Sequence, residues 1–415
     1  MWVQVIADDL TGACDVGAAL RPLSVPVVIE SLETGADTAG WTEGAIVVRN
    51  TQSRTLAPEA AAARVRRALA GVPAERDGIV FKKIDTALRG PLGAEIDAAM
   101  DAVGAGLALV LPAIPEVGRT TVGGRQLVDG IPVHETAFAR DPQNPVGESD
   151  VAAVVAATSR RRVAGVSLAE LTGSGARAAV ARCRAEGTDI VVGDAETDAD
   201  LETWMGNLLD GSDGYDVPLP LVLVGSTGLA KAWRDAPGAW LFDRSRRVGL
   251  PDGSWTGREG ILIVSGSVHP ATGAQLAHAA AAKPLAIVPV DPVDPIASGV
   301  EASARVRSGG VAALVAPSAE HSGGSEGILR AVAVAAAAAL ERSRPRLTIL
   351  IGGETAYAVL GSLGHPRLRI DGPPPAPLTA RVTIVEGSAA GMPVITKGGS
   401  TGPAERLTML IGEAR

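Results

Sequence analysis

The chain has 415 residues, 46% of them hydrophobic, a formal net charge of -8 and only 3% aromatic residues. That length suggests about two to three domains, and the hydrophobic share excludes a disordered chain. The acidic balance and the shortage of aromatic platforms argue against nucleic-acid and anionic-membrane partners.

The N-terminus has no basic region followed by an apolar stretch, so no signal peptide is expected. The longest bland run, Ala331 to Leu340, falls short of the ~18 residues that suggest a membrane span. A soluble, cytoplasmic protein is the expectation. Cys14 and Cys183 cannot staple a chain of this size, and no CxxC or His/Cys cluster points to structural zinc.

Short apolar runs read as strands at Val3 to Ala7, Val25 to Ile29, Ala45 to Val48, Gly78 to Phe81, Leu107 to Leu111, Val163 to Val166, Asp189 to Val192 and Leu219 to Val224. Helical patterns lie between many of them, as at Pro58 to Ala70, Glu95 to Val103 and Gly175 to Ala185. A second series follows at Ile261 to Val264, Leu285 to Val288, Val311 to Val315, Leu347 to Ile351, Val382 to Val385 and Pro393 to Ile395. Continuous apolar strands alternating with helices predict an α/β protein, with a largely parallel sheet flanked by helices in each of two domains. Asp235 to Gly260 is rich in Gly, Pro, Trp and charge, which puts the boundary near Arg244 to Gly260 and the domains at 1–243 and 244–415.

Gly118 to Pro145 breaks the alternation, with no helix pattern over an unusually long stretch. Gln126 to His134 within it reads as a hairpin turning on Asp129-Gly130. Such a loop covers a site or an interface, unless it is an ornamental insertion.

Candidate chemistry gathers at strand ends, where open α/β sheets bind ligands. The first strand runs into Asp8-Asp9-Leu10-Thr11-Gly12, with Asp15 one turn on. Paired carboxylates suit a base or a polyol-binding pair, and a helix N-cap is the plain structural reading of either one. The fourth strand runs into Lys82-Lys83-Ile84-Asp85, with Arg89 and Gly90 before a helix. Lys82 and Lys83 point to opposite faces of a strand, so at least one needs a partner or a ligand inside. Lys, Arg and a helix N-terminus together favour a carboxylate or phosphate. The bland alternative is a solvated edge. Arg54, beyond the third strand, falls on the same rim.

In the second half three strand ends are glycine-rich: Ser265-Gly266-Ser267, Gly352-Gly353-Glu354-Thr355, and Lys397-Gly398-Gly399. Glycine lets backbone approach a phosphate and leaves N–H groups free to form an anion nest. Three such ends in one domain read as a nucleotide site. No G-x-x-x-x-G-K-[ST] occurs, which speaks against a P-loop NTPase. A rival signal is Gly173-Ser-Gly175 through Ala178, a loose dinucleotide fingerprint with Asp194 about 20 residues on. Its fault is that Ala169 to Thr172 separates it from the preceding strand. His134, His269, His278, His321 and His365 form no i,i+4 pair, so no metal centre is supported. His134 and Glu135, beside Arg140 and Asp141, either face a substrate or are simply solvated.

Together Ala7 to Ala13, Lys82 to Gly90, the Pro112 to Pro145 segment with Gly118-Arg-Thr-Thr121 and His134 to Pro142, and Asp194 to Asp198 resemble the four-carbon acid sugar kinases, which act on threonate, erythronate and 3-oxo-tetronate. The resemblance covers essentially the whole chain. It implies an N-terminal domain for the sugar acid and a C-terminal domain for ATP. Carried over, the acid residues are Asp8, Asp9, Arg54 and Lys82 to Asp85. The nucleotide residues are Ser265 to Ser267, Gly352 to Thr355 and Lys397 to Gly399. This chain departs from the family pattern at Asn50, Ala87, Glu354, Val268-His269-Pro270 and Gly398 to Gly402, so the nucleotide half is the more divergent.

The resulting expectation is an ATP-dependent kinase acting on a terminal hydroxyl of a small sugar acid. Lys83, Arg54 and Arg89 would hold the carboxylate and neutralise charge. Asp85, or one of Asp8 and Asp9, would accept the proton. Mg2+ would ride on the ATP phosphates and water. A homo-oligomer stays open. An NAD-dependent hydroxy-acid dehydrogenase and a non-catalytic sugar-acid-binding protein are the alternatives.

Overall fold

The structure, a computed structural model, describes residues 2–21, 25–34, 45–73, 77–141, 144–209, 219–236, 253, 255–317 and 324–413. Residues 244–252, where the boundary was expected to begin, and His321 lie outside them. The chain forms two compact units: Met1–Val25 with Ile46–Arg246, and Pro26–Ala45 with Arg247–Arg415.

In chain order the first half contains β1 (Trp2–Ala7), α1 (Leu10–Leu20), β2 (Val27–Ser31), β3 (Ile46–Asn50), α2 (Pro58–Ala68), β4 (Gly78–Lys83), α3 (Leu92–Val103) and β5 (Leu107–Leu111). Then come β6 (Arg119–Val122), β7 (Arg125–Val128), β8 (Ile131–Pro132), α4 (Val151–Ala156), β9 (Val163–Val166), α5 (Leu168–Ala185), β10 (Ile190–Gly193), α6 (Asp198–Leu209), β11 (Leu221–Gly225) and α7 (Thr227–Asp235). The second half contains β12 (Glu259–Ser265), α8 (Pro270–Ala282), β13 (Leu285–Pro289), α9 (Pro295–Arg307), β14 (Val311–Val315), α10 (Gly324–Arg342), β15 (Pro345–Ile351), α11 (Gly353–Ser362), β16 (Leu368–Ile370), β17 (Thr379–Ile384), β18 (Pro393–Lys397) and α12 (Arg406–Gly412).

The first unit is a parallel sheet in the order β3-β1-β4-β11-β5-β10-β9. Its central strands β4, β5 and β11 are buried along their whole length. That is the pattern of a sheet covered on both faces by helices. Aromatics are few, and two of them stack at the core, Phe81 on Trp233 at 5.5 Å between ring centroids. The expected hairpin on Asp129-Gly130 is present, as β7 and β8, and β6 pairs β7 to complete a separate three-stranded antiparallel sheet.

The second unit orders its strands β13-β14-β12-β15-β18-β17-β16-β2. From β13 to β18 the pairing is parallel, and β18, β17, β16 and β2 pair antiparallel. The segment read as a strand at Val382 to Val385 therefore runs against its neighbour, and β16 lacked a clear signal in the sequence. The links between β16, β17 and β18 are short, whereas a parallel crossover needs about a dozen residues or more. The strand read at Val25 to Ile29 begins at Val27 and groups with this second unit.

Candidate active site

In the first unit the register aligns Ala7 of β1 with Asn50 of β3 and with Lys83 of β4. Three neighbouring strands thus end in one row, and Asp8-Asp9, Thr51 to Arg54 and Ile84-Asp85 leave from it. Asp9 is the N-cap of α1, accepting from the Gly12 N–H at 2.9 Å and from the Thr11 hydroxyl at 2.7 Å. The cap reading of the sequence is therefore correct for Asp9. Its carboxylate also accepts from Arg54 Nη2 at 2.7 Å. Asp8, fully buried, takes the same guanidinium as a fork, from Nε and Nη2 at 2.9 Å each. Burial by itself pushes the Asp8 carboxyl up, but Arg54, Lys82 and Lys83 overcome it and hold it below its ordinary range.

Both lysines of β4 are buried. Lys82 Nζ lies 3.3 Å from Glu95 Oε2 in the first turn of α3. The Ser53 hydroxyl donates to the other oxygen of Glu95 and lies 2.6 Å from Thr51 Oγ1. Glu95 thus ties the β3 loop that carries Arg54 to β4. Burial pushes the Glu95 carboxyl up; Lys82 and Ser53 pull it down, Asp8 pushes the same way as burial, and the net is upward. The sequence reading passed over Glu95. Its signal was there: Glu95 shares the face of Leu92, Ile96 and Ala99, all buried. Lys83 turns the other way, donating to the Ile84 carbonyl at 2.7 Å, close to Gly12.

Asp85 Oδ2 accepts from Arg89 Nε at 2.6 Å, and Arg89 Nη1 donates to Asp141 Oδ2 at 2.9 Å. Burial pushes the Asp85 carboxyl up, but Arg89, Arg54 and Lys83 hold it well below the ordinary carboxylate range. Arg89 also lies over the Phe138 ring at 5.3 Å, and Arg119 of β6 lies over the same ring at 5.0 Å. The long insertion thus reaches the cluster through Arg119, Phe138 and Asp141. His134 instead meets Ser149 Oγ at 2.6 Å.

In the second unit Ser265 pairs in register with Ile351, and Ile351 with Lys397. The three glycine-rich ends therefore stand on three adjacent strands, β12, β15 and β18. The Thr355 hydroxyl accepts from the Gly266 N–H at 2.9 Å, and the Gly352 N–H donates to the Lys397 carbonyl at 2.8 Å. Gly352, the N-cap of α11, has φ 98, a conformation that favours glycine. A Cβ on Gly399 would come within 2.4 Å of Ser267 Oγ. Gly353, Glu354 and Thr355 form the first helical turn, whose N–H groups have no intrahelical partner and face anions favourably. Lys397 is fully buried, and its Nζ donates to the Gly398 carbonyl at 2.6 Å.

The dinucleotide fingerprint fails on structure. The stretch from Leu168 to Ala185, α5, opens on a capping box of Ser167 and Glu170 and is broken at Gly175 (φ 80, ψ 159), so the glycines follow a helical stretch and not a strand end. Asp194 accepts from the Gly123 and Gly124 N–H groups at 2.8 Å and so anchors the β6–β7 turn. Among the described residues no group of three or more His, Cys, Asp or Glu is arranged to hold a metal ion. At the site, Asp8, Asp9, Asp85 and Glu95 face guanidinium, ammonium, hydroxyl and N–H donors. Among the described residues no helix is long and apolar enough to cross a membrane.

The family described as a sugar-binding N-terminal domain matches residues 3–233, and that described as a nucleotide-binding C-terminal domain matches residues 262–407. These matches put the chain in the class of α/β proteins that join a sugar-binding to a nucleotide-binding domain. It is 32% identical to the D-threonate kinase of Salmonella typhimurium, over 97% of this chain and 96% of that one. It is 30% identical to the 3-oxo-tetronate kinase of Methylobacterium radiotolerans, over 96% and 93%. The chain belongs to the four-carbon acid sugar kinase family. A crystal structure from Salmonella typhimurium LT2 superposes with a TM-score of 0.75 at 23% identity, over 99% of this chain and 98% of that one, a likeness of fold.

Proposed function

We propose that this protein is an ATP-dependent kinase that phosphorylates a terminal hydroxyl of a four-carbon sugar acid of the threonate, erythronate or 3-oxo-tetronate type. The observation that carries the reading is the row of strand ends in the first unit, where Asp8, Asp9, Arg54, Lys82, Lys83, Asp85 and Arg89 converge. The names of its relatives supply the acid class.

Phosphoryl transfer needs alignment, charge neutralisation and a proton acceptor, with little covalent chemistry from the protein. Lys83 is suited to meet an oxyanion, since among the described residues its ammonium donates to a carbonyl and to no carboxylate. Asp8 fixes Arg54 by a bidentate pair, so the guanidinium is preorganised. Asp85 holds protons too weakly to be a good base, and we assign it to accepting hydrogen bonds from the substrate hydroxyls. Asp9 is then the base. In the second unit the α11 N-terminus, the Ser265 to Ser267 turn and Lys397 to Gly399 suit the phosphates of ATP. Mg2+ would be carried by those phosphates and water, supplying charge neutralisation.

The test is ADP release across threonate, erythronate and 3-oxo-tetronate, with wild type and Asp9→Asn. Asparagine still caps α1, so the variant keeps its fold. It should lose about 10²–10⁴-fold in kcat with acid affinity within about threefold. No ADP release with any of the acids would sink the kinase reading, and full turnover by Asp9→Asn would remove Asp9 from the role of base.

A further inference from the structure

The cations of the first unit differ in what holds them. Arg54 is forked onto Asp8 and reaches Asp9; Lys82 faces Glu95; Arg89 is shared by Asp85 and Asp141. Arg119 has none of this. It is 9% exposed, and its Nη1 is buried with no hydrogen-bond partner. Among the described residues its guanidinium makes no hydrogen bond and no ion pair; it has only the face of Phe138, which it shares with Arg89.

An uncompensated buried charge is costly, and proteins keep one where a ligand completes it. The backbone under Arg119 is locked on both sides. Its N–H and carbonyl pair with Ile114 at 3.1 and 2.8 Å, and β6 pairs Arg119 with Val128 of β7. The backbone is therefore fixed, and burial and the Phe138 ring at 5.0 Å confine the guanidinium. Asp85 and Asp129 act on it through space without a hydrogen bond or ion pair among the described residues, and Asp85 is already committed to Arg89. What is missing is a planar anion able to take two parallel N–H donors.

We propose that Arg119 is the carboxylate-recognising residue of the acid site, and so the residue that selects a sugar acid over a neutral polyol or sugar of the same length. The identity of the acid rests on the kinase reading above; the anion subsite follows from the unpaired guanidinium. The insertion 118–145 then has a function: it carries the specificity residue into a site whose remaining groups come from strand ends.

The test compares threonate and erythronate with their amides, by calorimetry and by ADP release, on wild type, Arg119→Met and Arg119→Lys. Wild type should bind the acids at least about tenfold more tightly than the amides. Arg119→Met should lose about 10–100-fold in acid affinity, the size of a lost hydrogen-bonded charge contact, and stay within about threefold for the amides. Its melting temperature without ligand should hold or rise, since a buried unpaired charge is replaced by an apolar chain of similar length. A residue that merely supported the fold would lower it. Arg119→Lys keeps the cation and loses the fork, so it should weaken the acids several-fold in KM with kcat little changed; it decides the matter should the Met variant fail to fold. Wild-type preference for acid in either variant would overturn the proposal, as would a wild type that binds none of these acids or does not distinguish acid from amide. Arg119-dependent acid binding without ADP release would leave the subsite standing and remove the kinase reading. ADP release with undiminished acid preference in Arg119→Met would do the reverse.

Discussion

Asp85 shows how neighbours set the chemistry of one carboxylate. It is held below its ordinary range by Arg89, Arg54 and Lys83 against the push of burial. A depressed folded-state value means that the folded protein favours the ionised form. The stability this contributes is present above the unfolded value, near pH 4, and is lost as pH falls toward the folded value. Asp85→Asn leaves Arg89 with Asp141 alone, on the partly exposed side of the cluster. We expect a loss of about 3 kcal/mol at pH 7. The gap to wild type should shrink below about pH 4, measured by urea unfolding at pH 7 and pH 3. A gap that stays constant with pH would mean that charge is not what Asp85 contributes. The residues of this cluster were legible as charges in the sequence, at Asp8-Asp9, Arg54 and Lys82 to Arg89. Which charge meets which was not. Glu95 and Arg119 became site residues only when α3 and β6 brought them there, and residue type does not encode a distance.

At the scale of elements, the turn between β15 and α11 carries the nucleotide reading. Gly352 sits at φ 98, and a Cβ there would lie 3.2 Å from Thr355 Oγ1, the acceptor for the Gly266 N–H. One substitution therefore disturbs both the helix start and the neighbouring strand end. Gly352→Ala should cost about 1–3 kcal/mol in stability from the conformation alone. It should also raise the KM for ATP at least about tenfold, while acid affinity in calorimetry stays within threefold. An unchanged KM for ATP in the folded variant would move the phosphates elsewhere. Parallel strands with continuous apolar runs were readable, and observed bounds such as Leu107–Leu111, Val163–Val166 and Val311–Val315 are those the pattern implies. The helix read over Gly175 to Ala185 does start at a break, since Gly175 has φ 80 and ψ 159; what the pattern missed is the helical stretch before it, opened at Leu168 by the capping box of Ser167 and Glu170.

At the scale of the whole chain, the segment Pro26–Ala45 belongs to the second unit although it precedes most of the first in sequence. Strand β2 pairs antiparallel with β16, and Glu30 meets the buried Arg367 at 2.8 Å, an arginine that Glu386 also holds at 2.9 Å. The Thr34 hydroxyl adds a bond of 2.8 Å to the His365 carbonyl. Glu30→Ala in the full chain takes one carboxylate from a buried guanidinium. It should lower the stability of the second unit by about 3 kcal/mol and leave that of the first unchanged. Hydrogen exchange read separately on β15 and β4 distinguishes the two. Equal loss of protection in both would mean that Glu30 supports more than its own unit. For the same reason a fragment starting near Arg247 lacks a strand of its own sheet.

The sequence by itself determined what a local pattern can carry: an α/β chain with strand runs of the right length, carboxylates and cations at the strand ends of one half, and glycine-rich strand ends in the other. Burial on both faces demands continuous apolar strands, and close backbone approach demands glycine, so both leave marks within a few residues. Strand order, the antiparallel turn at β16 and β17, the return of β2 to the second unit and the meeting of Arg119 with Phe138 and Arg89 were decided by tertiary structure alone. They depend on pairings between residues far apart in the chain, and nothing in either partner's immediate neighbourhood specifies the other.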